Sequence, residues 1–240
     1  MPYRYYLIFM LLLTACSSGQ GQREQSAGIA DFQPDERPMA TTLVYDCNGF
    51  DFIARVGPGE IALWLPGQYL ILSRVRSASG TLYEEGDISF WSKGEDLMLT
   101  VGADVHQNCQ LQPHRVPWED ARRRGVDFRA TGNEPSWYLE IRSGRQLLFV
   151  SDFGLQRLLV PDPGPQVVGN TRAYESISGS QTLRVEIIEE TCVDTMSGER
   201  FPEQVTITQG QSAQGSPVQS NINYQGCGQS LDYPWEAASP

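Results

Sequence analysis

Lysine is almost missing from this chain: of 18 basic residues, 17 are arginine and one, Lys93, is lysine. Histidine is scarce as well, with only His106 and His114. No Cys-x-x-Cys pair occurs, which argues against a thiol redox centre and a four-cysteine zinc site. The Gly-x-Ser-x-Gly elbow of a serine hydrolase is missing too. The string His106-x2-Cys109-x4-His114 would ligate a metal only by spending a cysteine better used in a disulfide, and it offers no fourth ligand. No enzyme activity, metal or cofactor is therefore expected. Nor is there a long apolar run: residues 5–13 hold nine such positions, short of the ~20 needed to span a bilayer. Positive charge is in deficit, with 29 acidic residues and a net charge of -11. Nucleic acid is thus a poor partner, and a cationic protein would be steered toward the chain at low salt.

What is there begins with Arg4, the apolar run and the small residues Thr14 and Ala15 ahead of Cys16, the pattern of an export signal. The tetrad Leu13-Thr14-Ala15-Cys16 resembles the bacterial lipobox. That resemblance implies removal of residues 1–15 and a lipid on Cys16. With Ser17 and Ser18 rather than aspartate following, it implies a cell-envelope protein held on the outer membrane and facing the periplasm. Losing the leader removes Arg4 and no acid, so the mature net charge becomes -12. Residues 16–40, rich in Gly, Gln, Ser and Pro, read as a flexible tether.

From Thr41 onward, short apolar runs alternate with turn residues, the cadence of an all-β protein. Residues 41–110 form one expected domain, which at about 70 residues is marginal for a hydrophobic core alone. Residues 111–124, with two prolines and three consecutive arginines, read as a linker holding one helical turn. Residues 125–235 read as a second antiparallel β domain, with a flexible loop at 209–219. Cys47, Cys109, Cys192 and Cys227 allow three pairings. Cys47 with Cys109 and Cys192 with Cys227 is the expected one, because each pair then brackets one compact segment and neither crosses the Pro- and Arg-rich stretch between them.

The first domain holds a possible working edge. Ser79-Gly80 and Lys93-Gly94 both read as turns, because glycine enters positive φ without steric cost. Residues 81–85 leave the first turn, Glu85-Gly86-Asp87 reverses the chain, and residues 88–92 return to the second. A hydroxyl and an ammonium would then share one rim. The domain around them carries nine acidic and four basic residues. A compact ammonium suits a carboxylate in a narrow cleft better than a broad guanidinium does. A cationic protein whose cleft holds a general acid and an ionised carboxylate, such as lysozyme, would complement this pattern.

Four motifs here resemble the membrane-bound inhibitors of C-type lysozyme: Tyr45-Asp46-Cys47, the stretch Ser79-Gly80-Thr81-Leu82-Tyr83, Lys93-Gly94, and the closing Cys109. The resemblance covers residues 43–110. It implies a small antiparallel β-barrel, with Ser79 and Lys93 facing the catalytic acids of C-type lysozyme and Tyr83 shaping the loop. Thr81 and Leu82 depart from the alanine and basic residue often found there, which bears on affinity more than on fold. In the second domain, Gly132-Asn133-Glu134-Pro135-Ser136-Trp137 and Cys192-Val193-Asp194-Thr195-Met196-Ser197 resemble an uncharacterised domain of bacterial envelope lipoproteins. Asp194 and Ser197 are expected to bond local amides. The alternative is a small-ligand or glycan site around Trp137 and Asp194, which would make the chain a periplasmic binding lipoprotein.

Overall fold

The computed structural model describes residues 40–211 and 221–231. The expected leader, the Cys16 lipid site, nearly all of the tether and most of the 209–219 loop lie outside the described residues.

The first domain is a meander in which each strand pairs antiparallel with the next: β1 (Thr41–Asp46), β2 (Asp51–Gly57), β3 (Glu60–Leu65), β4 (Gln68–Val75), β5 (Thr81–Glu85), β6 (Ile88–Lys93), β7 (Asp96–Val101) and β8 (Asp104–His106). The short β9 (Gln110–Leu111) returns to pair with β1, so the sheet runs from β8 through to β9. Its two edge strands are therefore separated by only residues 107–109 in sequence, and the sheet must curl into a barrel-like shell. Alternation does the rest. Ile61, Leu63 and Leu65 on β3 point inward while Ala62 and Trp64 point out, as a period of two requires. Phe52, Leu72, Tyr83, Phe90 and Leu99 complete the core, with Phe90 edge-on to both Phe52 and Tyr83. Cys47 and Cys109 are bridged, tying the end of β1 to the start of β9.

The expected linker is largely a helix, α1 (Val116–Arg123), with Trp118, Glu119 and Ala121 buried. Pro117 fits the first turn, where its missing N–H costs nothing. Gly125, at φ 75°, ends the helix: its N–H bonds the Arg122 carbonyl and the Val126 N–H bonds that of Ala121. Within this stretch, expected to be a linker with one helical turn, Trp118 stacks on Phe201 at 5.0 Å and packs with Ala121, Val126 and Leu231 into a small core of its own. The helix also reaches the first sheet. Thr42 Oγ1 donates to Asp120 Oδ1 at 2.8 Å, and Arg115 pairs with Asp51 at 3.0 Å.

The second domain contains β10 (Phe128–Asn133), β11 (Ser136–Arg142), β12 (Gln146–Ser151), β13 (Gln156–Pro161), β14 (Gln166–Val168), β15 (Thr171–Ser178), β16 (Gln181–Ile188), β17 (Cys192–Val193), β18 (Arg200–Phe201), β19 (Glu203–Gln211) and β20 (Asn221–Ser230). Nine of these form one antiparallel sheet running β13-β12-β11-β10-β20-β19-β16-β15-β14, and β17 with β18 makes a separate ribbon. Again the two edge strands are consecutive in the chain. Ser176 Oγ on β15 donates to the Pro161 carbonyl on β13 at 3.0 Å across that seam. The expected loop from Gln209 begins later, because residues 209–211 still pair with β16 and β20. Cys192 and Cys227 are bridged, holding the ribbon to β20.

The Cys47 bridge closes a segment of 62 residues. A chain-entropy estimate for that length predicts that Cys47→Ser with Cys109→Ser costs about 4 kcal/mol in denaturant unfolding. A loss under about 1 kcal/mol would show that strand pairing alone closes the shell.

Candidate functional site

In the β5–β6 hairpin, Thr81 faces Ser92 and Glu85 faces Ile88. Ser79 and Gly80 enter β5 at the same end where Lys93 leaves β6, and the turn through Gly94 leads into β7 with Lys93 opposite Asp96. Gly80 is at φ 72°. A Cβ built there would lie 2.4 Å from the Ser92 carbonyl oxygen and 3.0 Å from the Lys93 Cβ. The two turns thus touch backbone to backbone, which only glycine permits. Ser79 and Lys93 are both exposed, and among the described residues Lys93 takes part in no ion pair.

Two groups that the sequence reading did not single out fix this loop. The indole N–H of Trp91 donates to the Ser79 carbonyl at 2.9 Å, and Ser77 Oγ donates to the same oxygen at 2.5 Å. The Ser79 carbonyl is therefore held from two sides while the residue itself stays exposed. The signal for Trp91 was its place two residues before Lys93, on the same strand face. Tyr83 sits elsewhere. It is a core residue, 5% exposed and packed against Phe90, so it reaches the loop only by anchoring β5.

His106 stacks on Phe50 with ring centroids 3.8 Å apart, and His114 lies 3.8 Å from Glu199. Cys109 is consumed in its disulfide. The three residues of the histidine string thus have separate partners.

The second-domain motifs form one packed corner. Trp137 is 3% exposed and its indole N–H donates to the Gln225 carbonyl at 3.2 Å. A Cβ at Gly132 would lie 2.2 Å from that nitrogen, and one at Gly226 would lie 2.7 Å from the ring. Both glycines make room for the indole. Buried this way, Trp137 offers no open face on which a sugar could stack. Asp194 accepts bonds from the Ser197 and Met196 amides, the Ser197 hydroxyl and the Asn133 side-chain amide. The expected bonding of Asp194 and Ser197 to local amides is what this turn displays.

Residues 45–108 match the family model described as the membrane-bound lysozyme-inhibitor of c-type lysozyme. The protein named membrane-bound lysozyme inhibitor of C-type lysozyme from Escherichia coli (strain K12) is 30% identical over 108 residues, covering 89% of that protein and 44% of this chain. The one of the same name from Yersinia enterocolitica (serotype O:8 / biotype 1B, strain NCTC 13174 / 8081) is 30% identical over 105 residues, covering 75% of it and 42% of this chain. This chain belongs to that inhibitor family. The residues matched by the family model run from Tyr45 on β1 to Asn108 just before β9, so they lie within the first domain and include the whole Ser79 and Lys93 rim. No solved structure matches the chain.

Trp91→Phe keeps the ring but deletes the donor to Ser79. It should cost about 1 kcal/mol in unfolding and lower NMR order parameters across residues 77–80. Unchanged order parameters would mean that the loop is held by something else. At Asp194, burial alone would raise the pKa, but the hydrogen bonds from Ser197, Asn133 and Met196 together hold it below the usual carboxylate value. A depressed folded pKa contributes stability that is present above the unfolded value, ~3.9, and fades as pH falls through the folded one. The stability gap between the parent and Asp194→Asn should therefore be widest above about pH 5 and close toward pH 3 and below. A gap independent of pH would contradict this.

Proposed function

We propose that this chain is an envelope lipoprotein that inhibits C-type lysozyme by inserting the Ser79 and Lys93 loops into the enzyme's acidic catalytic cleft. The observation that carries the reading is the junction of the two turns at Gly80, which brings exposed Ser79 and exposed Lys93, without an ion pair among the described residues, to one rim on a clamped backbone. A glycosidase cleft of the lysozyme type holds one carboxyl as general acid and a second ionised carboxylate. An ammonium brought between them gains charge-assisted hydrogen bonds in a site of low effective dielectric, and the serine hydroxyl can donate to the remaining oxygen. Substrate is then excluded by occupancy. No bond is made or broken, so the chain acts as a stoichiometric blocker and not as an enzyme.

The family membership and the names of the two relatives support the target and the membrane location. A lipid on Cys16, with residues 16–40 as tether, would hold the inhibitor at the outer membrane facing the periplasm, where an incoming lysozyme reaches the cell wall. Lysozyme is cationic and the chain has a net charge of -11, so long-range attraction favours the encounter.

In a cell-wall lysis assay, the protein should titrate a purified C-type lysozyme at one-to-one stoichiometry. Ser79→Ala with Lys93→Ala should weaken inhibition on the order of 100-fold or more, as expected for two central anchors. Undiminished inhibition by the double variant would remove both residues from the mechanism.

A further inference from the structure

An open cleft of about 480 Å³ lies beside the proposed inserting loop, lined by Gly59, Arg74, Val75, Arg76, Ser77 and Gly80. Arg74 faces Tyr83 across the β4–β5 ladder, and directly opposed residues share a sheet face. Tyr83 is buried, so Arg74 leaves β4 on the inward face, at the mouth of the shell. Phe90 is the inward residue of β6, so Lys93, three positions on, leaves by the outer face. The loop of residues 77–80 is therefore flanked by Lys93 on one side and by the Arg74 and Arg76 cleft on the other.

Charge singles this place out. The first domain has four basic residues, and Arg74, Arg76 and Lys93 gather at this one end, while Arg55 lies back on β2. Among the described residues none of the three makes an ion pair. Arg115, Arg122, Arg129 and Arg172, by contrast, all pair with acids. Glu60, Glu95 and Asp96 stand at the same end and are exposed, yet none pairs with these cations.

We propose that Arg74 and Arg76 form a second anion subsite, which grips a carboxylate-bearing segment on the lip of the lysozyme cleft while Lys93 and Ser79 occupy its floor. The inference rests on the inhibitory reading above and extends it. Two arginines two residues apart, with Cα atoms about 7 Å apart at strand spacing, can each offer a carboxylate a planar fork, which a lysine does poorly. Being at the rim, they act mainly on encounter, and Ser79 and Lys93, inserted in the cleft, act on residence time.

Stopped-flow or surface binding of the full chain to a purified C-type lysozyme, across a salt series, separates these roles. Arg74→Ala with Arg76→Ala should lower the association rate about tenfold at low salt and flatten its salt dependence, with dissociation little changed. Arg74→Lys with Arg76→Lys should recover most of the association rate. Ser79→Ala with Lys93→Ala should instead speed dissociation. All the altered side chains are exposed, so circular dichroism and thermal unfolding should match the parent. If the arginine variant binds like the parent while the Ser79 and Lys93 variant is weakened, the second subsite is overturned and the inserting loop stands. If neither variant changes binding, both readings fall.

Discussion

In the first domain the two edges of a nine-stranded sheet are neighbours in the chain, with β8 ending at His106 and β9 starting at Gln110. Three residues cannot reach across a flat sheet of that width, so the strands must curl until the edges meet. The Cys109 bond to Cys47 fixes the meeting point. Inward and outward faces then become fixed for each strand, and alternate turns fall into a ring at each end. The turns at 57–60, 77–80 and 93–96 share one ring, a grouping visible in the bond from the Arg74 amide to the Gly59 carbonyl and in the contact of Gly80 with Lys93. The position of the rim follows from closure. Its rigidity follows from Trp91, which spends its indole N–H on the Ser79 backbone and leaves the serine hydroxyl for a partner.

The second domain uses the same device without a disulfide at the seam. Residues 162–165 separate its edge strands β13 and β14, and the Ser176 hydroxyl bond to the Pro161 carbonyl crosses between β15 and β13. Its own disulfide serves the β17–β18 ribbon and the small core under α1. There the guanidinium of Arg129 lies over the rings of Trp118 and Tyr138 and pairs with buried Glu140, which Arg124 also reaches at 2.8 Å. Removing one partner from such a cluster would strand a charge away from water, at a cost well above that of a surface ion pair. The helix therefore belongs with the second sheet in its packing, and it meets the first through Thr42 and Asp51.

Much of the rim was legible in the sequence because hairpin chemistry is local. A glycine after Ser79, another after Lys93 and an acidic reversal at Gly86 set strand lengths that leave both turns at one end. The pairing of the cysteines was legible because each pair encloses one stretch of chain and neither crosses the segment that holds α1. Less visible was anything that depends on a distant surface. The arginine run at 122–124 reads as part of a linker, yet α1 buries Trp118 against Phe201, which lies far along the chain. Trp137 reads as a possible platform, and its burial depends on two glycines, one of them on β20, that fold over its ring. Arg74 near the end of β4 and Arg76 just past it stand close to Ser79 in the sequence, but that neither makes an ion pair among the described residues shows only in the fold.

Because Lys93 is the only lysine, an amine-directed reagent marks the rim at one side chain. Acetylating the protein with and without bound C-type lysozyme, and reading the Lys93 peptide by mass spectrometry, tests whether that ammonium enters the enzyme. The account predicts strong protection of Lys93 in the complex and loss of inhibition in protein acetylated there beforehand, since acetylation removes the charge. Equal labelling of free and bound protein, with inhibition intact after acetylation, would contradict it.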